Sequence, residues 1–212
     1  MITAVVDEMI PHLSVDAVMT DVGSVKGWVM DAIAPKWKNF VGGHPMAGTA
    51  DSGIEAAQPE LFVNCSYVLT PLESTPPAAL QQVAGLARSL QAQVHYCSAA
   101  DHDQAVAWIS HLPVIVSASL IAACMNEADQ PVLQLAKNLA SSGFRDTSRV
   151  GGGNPELGVM MAKYNREALM RSLSAYREQL DWAIEQIHHS DWASLEDLLT
   201  QTQHARPPFL KE

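Results

Sequence analysis

The sequence predicts an α/β domain followed by an all-helical one. Three observations predict it. Up to about residue 97, strand and helix signals alternate, which implies a parallel or mixed sheet with covering helices. After Asp101 the strand signals stop and only helical patterns follow. Late in the chain, Leu169, Leu173, Tyr176, Leu180, Ile184 and Ile187 recur at spacings of three and four, the stripe of one helix face.

Taken in order, residues 2–13 are apolar at helical spacing, and the helix ends near Pro11. Residues 17–21 read as a strand, 25–37 as a helix and 40–43 as a strand that runs into a Gly/Ala/Asp loop. A strand at 66–70, a helix at 77–90 and a strand at 93–97 complete the first part. Helices are then expected at 101–110, 112–126, 132–140, 155–162, 163–188 and 192–202, and the tail around Arg206-Pro207-Pro208 is expected to fray. This places domains at 1–99 and 100–205, with 206–212 as a tail. The long helix 163–188 serves either a monomer core or a dimer interface. His102 reads as a helix-surface residue and Trp108 as a core residue.

At 212 residues the chain holds one large or two small domains. A net charge of −10 argues against a nucleic-acid groove, so an anionic substrate must be met by local arginines. Cys65, Cys97 and Cys124 show no metal-ligand spacing, and free thiols in a reducing cytoplasm are expected. No metal is expected. No signal peptide is evident. The longest apolar run, 112–124, is too short to span a bilayer and reads as a buried helix, so no membrane association is expected.

Three motifs carry the chemistry. Gly42-Gly43-His44-Pro45-Met46-Ala47-Gly48-Thr49 follows the apolar Phe40-Val41. It sets a histidine among glycines just past a strand, where ligands bind in open α/β sheets and where glycine lets another backbone approach. Thr20-Asp21-Val22-Gly23-Ser24-Val25-Lys26-Gly27 is a strand end entering a helix, with Ser24 placed as N-cap. In Ala140-Ser141-Ser142-Gly143-Phe144-Arg145-Asp146-Thr147-Ser148-Arg149, the two arginines sit four apart and share a helix face. Arginine suits bidentate binding of carboxylates, and an ion pair with Asp146 is the plainer use. Gly151-Gly152-Gly153-Asn154-Pro155 follows, as a helix break or a backbone-rich turn near a pocket.

With Phe62-Val63-Asn64, Tyr67-Val68-Leu69-Thr70-Pro71 and the run from Ala100-Asp101-His102-Asp103 to His111-Leu112-Pro113, these motifs resemble the prephenate/arogenate dehydrogenase family. The likeness is nearest to the short cyanobacterial-type arogenate dehydrogenases. It implies a Rossmann-type domain, a helical substrate and dimerisation domain, a homodimer, and NAD(P)-dependent oxidative decarboxylation in tyrosine biosynthesis. It also implies roles. His44 accepts the proton of the substrate hydroxyl. Ser24, with Gly23, lies near that hydroxyl and the nicotinamide. Arg149 binds the substrate side chain with Arg145 in support. His111 and Thr49 line the substrate pocket.

Two departures are informative. The family's Gly-x-Gly-x-x-Gly pyrophosphate turn does not occur in this sequence, so the chain is expected to start inside the nucleotide domain, an N-terminally truncated Rossmann fold short of two βα units. Some prephenate-using relatives carry a glutamate after the threonine of the histidine motif; here Ala50 and then Asp51 follow, and arogenate is preferred over prephenate. NADP is preferred over NAD on resemblance alone. Two other readings compete. One is a non-catalytic helical dimerisation or ligand-binding module. The other is a β-hydroxyacid-type dehydrogenase, which would use a helical-domain lysine where this chain carries its arginine cluster.

Overall fold

The computed structural model describes residues 2–48 and 53–210. Its sheet has the order β1 (Met19–Thr20), β2 (Phe40–Pro45), β3 (Ser66–Thr70), β4 (Gln93–Tyr96). β1 and β2 are parallel, β2 and β3 antiparallel, β3 and β4 parallel, so the sheet is mixed. Neighbouring strand residues face opposite ways. Phe40 therefore packs with Met19, Val6, Val29, Met30 and Ile33, under α1 (Ile2–Met9) and α2 (Gly27–Ile33). Val41 packs on the other face with Leu69, Ala79, Val83, Ala84 and Ala87, under α3 (Pro77–Ser89). The alanines let α3 sit close to the sheet.

His44 does not lie past its strand. Gly42 to Pro45 continue β2 and pair with Thr70 to Tyr67. Glycine and proline read as loop formers, but here crowding selects them. A Cβ at Gly43 would lie 2.7 Å from the Asp21 carbonyl oxygen. By alternation His44 shares the face of Phe40, toward α2.

α4 (Ala99–Val106), a π-helical turn (Ala107–His111) and α5 (Leu112–Met125) run on as one helix. Pro113 explains the π turn: its ring would clash with the carbonyl four residues earlier, and widening the preceding turn relieves this. α6 (Gln130–Leu139), α7 (Ser142–Ser148), a 3-10 turn (Arg149–Gly152), α8 (Pro155–Tyr164), α9 (Arg166–His189) and α10 (Trp192–Ala205) follow. Ser98, Asp129, Asn154 and Asp191 cap α4, α6, α8 and α10. The tail carries a short 3-10 turn, Pro207–Phe209. Contacts divide the chain into two compact units, Met1–Leu169 and Met170–Glu212.

One burial expectation is corrected, that of α5, and one open alternative is narrowed, that of α9. α5 buries only Leu112 and Ser117. On α9, Leu169 is buried, but Tyr176, Leu180, Ile184 and Ile187 are exposed. Apolar periodicity marks a face; it does not supply a cover. The helical run Ala99–Met125, 27 residues, is long and apolar enough to cross a bilayer by length and composition. A core helix of a soluble protein meets the same criterion. This one holds the buried, hydrogen-bonded His102, Asp103 and His111.

Candidate active site

The first half of the site is built on β2 and the loop that enters α2. Asp21 follows β1 directly and accepts from the backbone N–H of Gly23 (2.8 Å) and of Gly43 (3.0 Å). It also pairs with Lys26, whose side chain is wholly buried and whose Nζ donates to the Gly43 carbonyl at 2.7 Å. Burial lowers the Lys26 pKa, and the adjacent Asp21 carboxylate opposes that shift. The pair thus clamps the glycine strand to the α2 entry loop.

The second half comes from α4. His44 Nδ1 lies 2.8 Å from His102 Nε2, and His102 Nδ1 lies 2.7 Å from Asp103 Oδ1. Asp103 also accepts the N–H of Lys26 on Oδ1 and of Gly27 on Oδ2, both at 2.8 Å. Ser24 is therefore not the N-cap of α2, which carries no side-chain cap from its own strand end. A carboxylate 76 residues away in sequence takes the first donors instead. Burial pushes the Asp103 pKa up, but the hydrogen bonds from His102 and the two backbone N–H groups outweigh it and bring it below the usual value. His102 is 2% exposed and Trp108 42% exposed, the reverse of the sequence expectation. The polar partners of His102 lie on other elements, so its own helix pattern does not announce its burial.

Burial first, then the neighbouring His102, Lys26 and His111, lowers the His44 pKa to about 3, against a weaker opposing pull from Asp103. The ring is neutral at physiological pH. His44 Nε2 has no hydrogen-bond partner among the described residues.

His111 is wholly buried at the end of the π turn. The Asn165 amide donates to the Asp103 carbonyl at 2.7 Å, which fixes its orientation, and the same nitrogen lies 3.0 Å from His111 Nδ1. His111 Nδ1 thus accepts, so its proton sits on Nε2, a buried atom without a partner among the described residues. Burial lowers the His111 pKa as well.

Gly23 and Ser24 line a cavity of about 370 Å³ with Val25, Trp28, Asn154 and Tyr164. The Trp28 and Tyr164 rings meet at 4.5 Å. Among the described residues, no hydrogen bond or ion pair joins Arg145 or Arg149 to these groups, and neither lines the cavity. Arg145 is exposed and pairs with Asp146 at 2.9 Å, the plainer use foreseen for it. Arg149 opens the 3-10 turn, exposed and with no partner among the described residues. Thr49, Ala50 and Asp51 lie outside the described residues. Gly151 abuts α5: a Cβ there would lie 2.3 Å from the Ala118 nitrogen. The sequence reading missed Asp21, Lys26, Asp103 and Asn165. Asp21 and Lys26, five apart across a strand-to-helix turn of glycines, were the available signal.

Residues 1–96 match the family described as "Prephenate dehydrogenase, nucleotide-binding domain", and residues 98–201 match "Prephenate dehydrogenase, dimerization domain". The chain is 30% identical over 200 residues to a cyclohexadienyl dehydrogenase of Zymomonas mobilis, covering 93% of this chain and 68% of that one.

The chain belongs to the prephenate dehydrogenase family.

Among solved structures of this family, the Synechocystis arogenate dehydrogenase is 53% identical, with a TM-score of 0.90 over 98% of this chain and 74% of that one. The A. aeolicus prephenate dehydrogenase, in complex with hydroxyphenyl propionate and NAD+, is 28% identical, with a TM-score of 0.91 over 97% and 71%. The Bacillus subtilis prephenate dehydrogenase is 33% identical over 184 residues, 84% of this chain. The chain spans about half the length of that relative, 49%. The expected fold, a Rossmann-like part followed by a helical dimerisation domain, agrees with these matches.

Proposed function

We propose that this chain carries the catalytic centre of a nicotinamide-dependent dehydrogenase that oxidatively decarboxylates arogenate to tyrosine, with prephenate as the alternative substrate. The observation that carries the reading is His44, a neutral imidazole held through Nδ1 with Nε2 unpartnered among the described residues. The 53% identity to an arogenate dehydrogenase supports the arogenate choice. We carry NADP+ as the preferred coenzyme, on resemblance, and NAD+ as the alternative, on the A. aeolicus complex. The division into a nucleotide part, 1–99, and a helical part, 100–205, belongs to the same proposal.

The cavity beside Gly23 and Ser24 fits the nicotinamide end of such a coenzyme: Val25, Trp28 and Leu157 give it mainly apolar walls, and Ser24 and Asn154 supply polar groups for a carboxamide. When bound, the nicotinamide supplies the hydride acceptor. His44 Nε2 accepts the hydroxyl proton as the carbon becomes a carbonyl. It returns that proton to the oxygen as the carboxylate leaves as CO2 and the ring aromatises. The substrate's two carboxylates raise the basicity of a histidine beside them, and burial makes the return easy. Ser24 can donate and accept at once and so orients the hydroxyl. His111 offers its buried Nε2–H to the substrate. Thr49 completes the pocket, and Arg149, supported by Arg145, takes a carboxylate.

We further assign the exposed apolar face of α9 to a second copy of the chain, as the dimerization-domain match supports, and place the protein in the cytoplasm without membrane or nucleic-acid partners. The test is steady-state turnover of arogenate and prephenate with each coenzyme, for the protein and for His44→Ala and Arg149→Ala. Tyrosine and CO2 are expected, with kcat lowered mainly by His44→Ala and KM raised mainly by Arg149→Ala. Binding of substrate without turnover would refute the enzyme reading and favour a binding module.

A further inference from the structure

We propose that His102 and Asp103 are positioning residues that hold His44 in the tautomer with its proton on Nδ1 and its lone pair on Nε2. The role proposed for His44 supplies the purpose; the tautomer itself follows from the hydrogen bonds.

The argument starts at the far end of the chain of contacts. An ionised carboxylate only accepts. Asp103 is fixed by two backbone donors, the N–H groups of Lys26 and Gly27. Its Oδ1 lies 2.7 Å from His102 Nδ1, so that nitrogen carries a proton. His102 is buried with its ring against His44, and a cation in that position is costly. In the neutral ring Nε2 is then an acceptor. His44 Nδ1, 2.8 Å away, must donate to it. The remaining ring nitrogen of His44 is left with its lone pair outward, the form a proton acceptor needs. Were the order reversed, His44 Nε2 would bear a hydrogen and could accept nothing.

The same carboxylate closes the first turn of α2, and the loop before that turn carries Gly23 and Ser24. One side chain therefore sets both the tautomer of His44 and the seat of the loop facing the cavity. The groups that face His44 are His102 and Asp103 from α4, Lys26 from the α2 entry and His111 from the π turn.

The test reads the tautomer directly. Protein labelled with 15N-histidine is examined by long-range 1H–15N NMR at neutral pH, with the His44 signals assigned by their loss in His44→Asn. Nδ1 is expected to be protonated and Nε2 unprotonated. In His102→Gln the amide oxygen can still accept from His44 Nδ1, and the tautomer should persist. In His102→Phe it should shift toward Nε2–H. Asp103→Asn allows the amide to donate to His102 and reverse the chain; a fall in kcat of about a hundredfold or more is expected, with KM changed less than about threefold. A protonated Nε2 on His44 in the unmodified protein would overturn the proposal, as would an unchanged tautomer in His102→Phe. Absence of turnover would count against the dehydrogenase reading and leave the tautomer measurement standing.

Discussion

Replacing Gly151 by alanine should be among the most damaging single-methyl additions in this chain. The new Cβ would meet the Ala118 nitrogen at 2.3 Å, the Ser117 carbonyl carbon at 2.4 Å and the Ser117 Cβ at 2.7 Å. Ordinary contact begins at 3.4 Å, so the overlap is about 1 Å, against helix backbone that cannot rotate away. The turn Arg149–Gly152 must lift off α5. That movement also threatens the 2.6 Å bond from Ser117 Oγ to the Thr147 carbonyl. Overpacking costs about 1–3 kcal/mol and the lost bond about 1 kcal/mol more, so about 2–4 kcal/mol of destabilisation is expected. Gly152→Ala is the control: a Cβ there meets nothing within 4 Å, and Gly152 is not among the positive-φ glycines. It should be neutral or stabilise by about 0.4–1 kcal/mol. Urea titrations followed by far-ultraviolet circular dichroism would measure all three proteins. Equal midpoints for the two variants would refute the packing argument.

Other perturbations test the electrostatics. Lys26→Met leaves the Asp21 carboxylate buried without its cation and should cost about 3–5 kcal/mol, part of which Asp21→Asn in the same chain should restore; a loss under about 1 kcal/mol in the urea midpoint would contradict the buried clamp. Between pH 6.5 and about 3 the unfolded chain protonates the His44 side chain and the native state does not, so stability falls with pH in that window. The His44 share is on the order of 3 kcal/mol at pH 4.5, measurable as a smaller acid loss in His44→Asn than in the unmodified protein. The Arg145–Asp146 pair is exposed, so Arg145→Ala should change the melting temperature negligibly, and any effect should appear in substrate KM.

Element existence was legible because hydrophobic period is local. The strand 66–70 and the helix 77–90 appear almost as read, since β-branched runs and a Pro-initiated amphipathic segment announce themselves. His44 and Pro45 were misplaced, since their membership of β2 rests on pairing with Val68 and Tyr67, which no local pattern shows. Ser24 looked like a cap because serine before a helix usually is one. The real cap arrives from α4. His102 and Trp108 exchanged places for a related reason: hydrophobicity ranks tryptophan inside and histidine outside, and a buried polar network reverses the order.

By itself, then, the sequence determined the alternation of strands and helices, the apolar face of α9 and the family, and it singled out His44 as the candidate for the chemistry proposed above. These are properties of spacing and of residue type. Only the tertiary structure decided which charges are buried together and which nitrogen of His44 is held. Lys26 meets Asp21 and Gly43, and Asp103 meets His102 and the start of α2, across 77 residues of chain in the longest case. Such contacts follow from how helices pack on a sheet, and a buried charge is tolerated only where that packing delivers its partners.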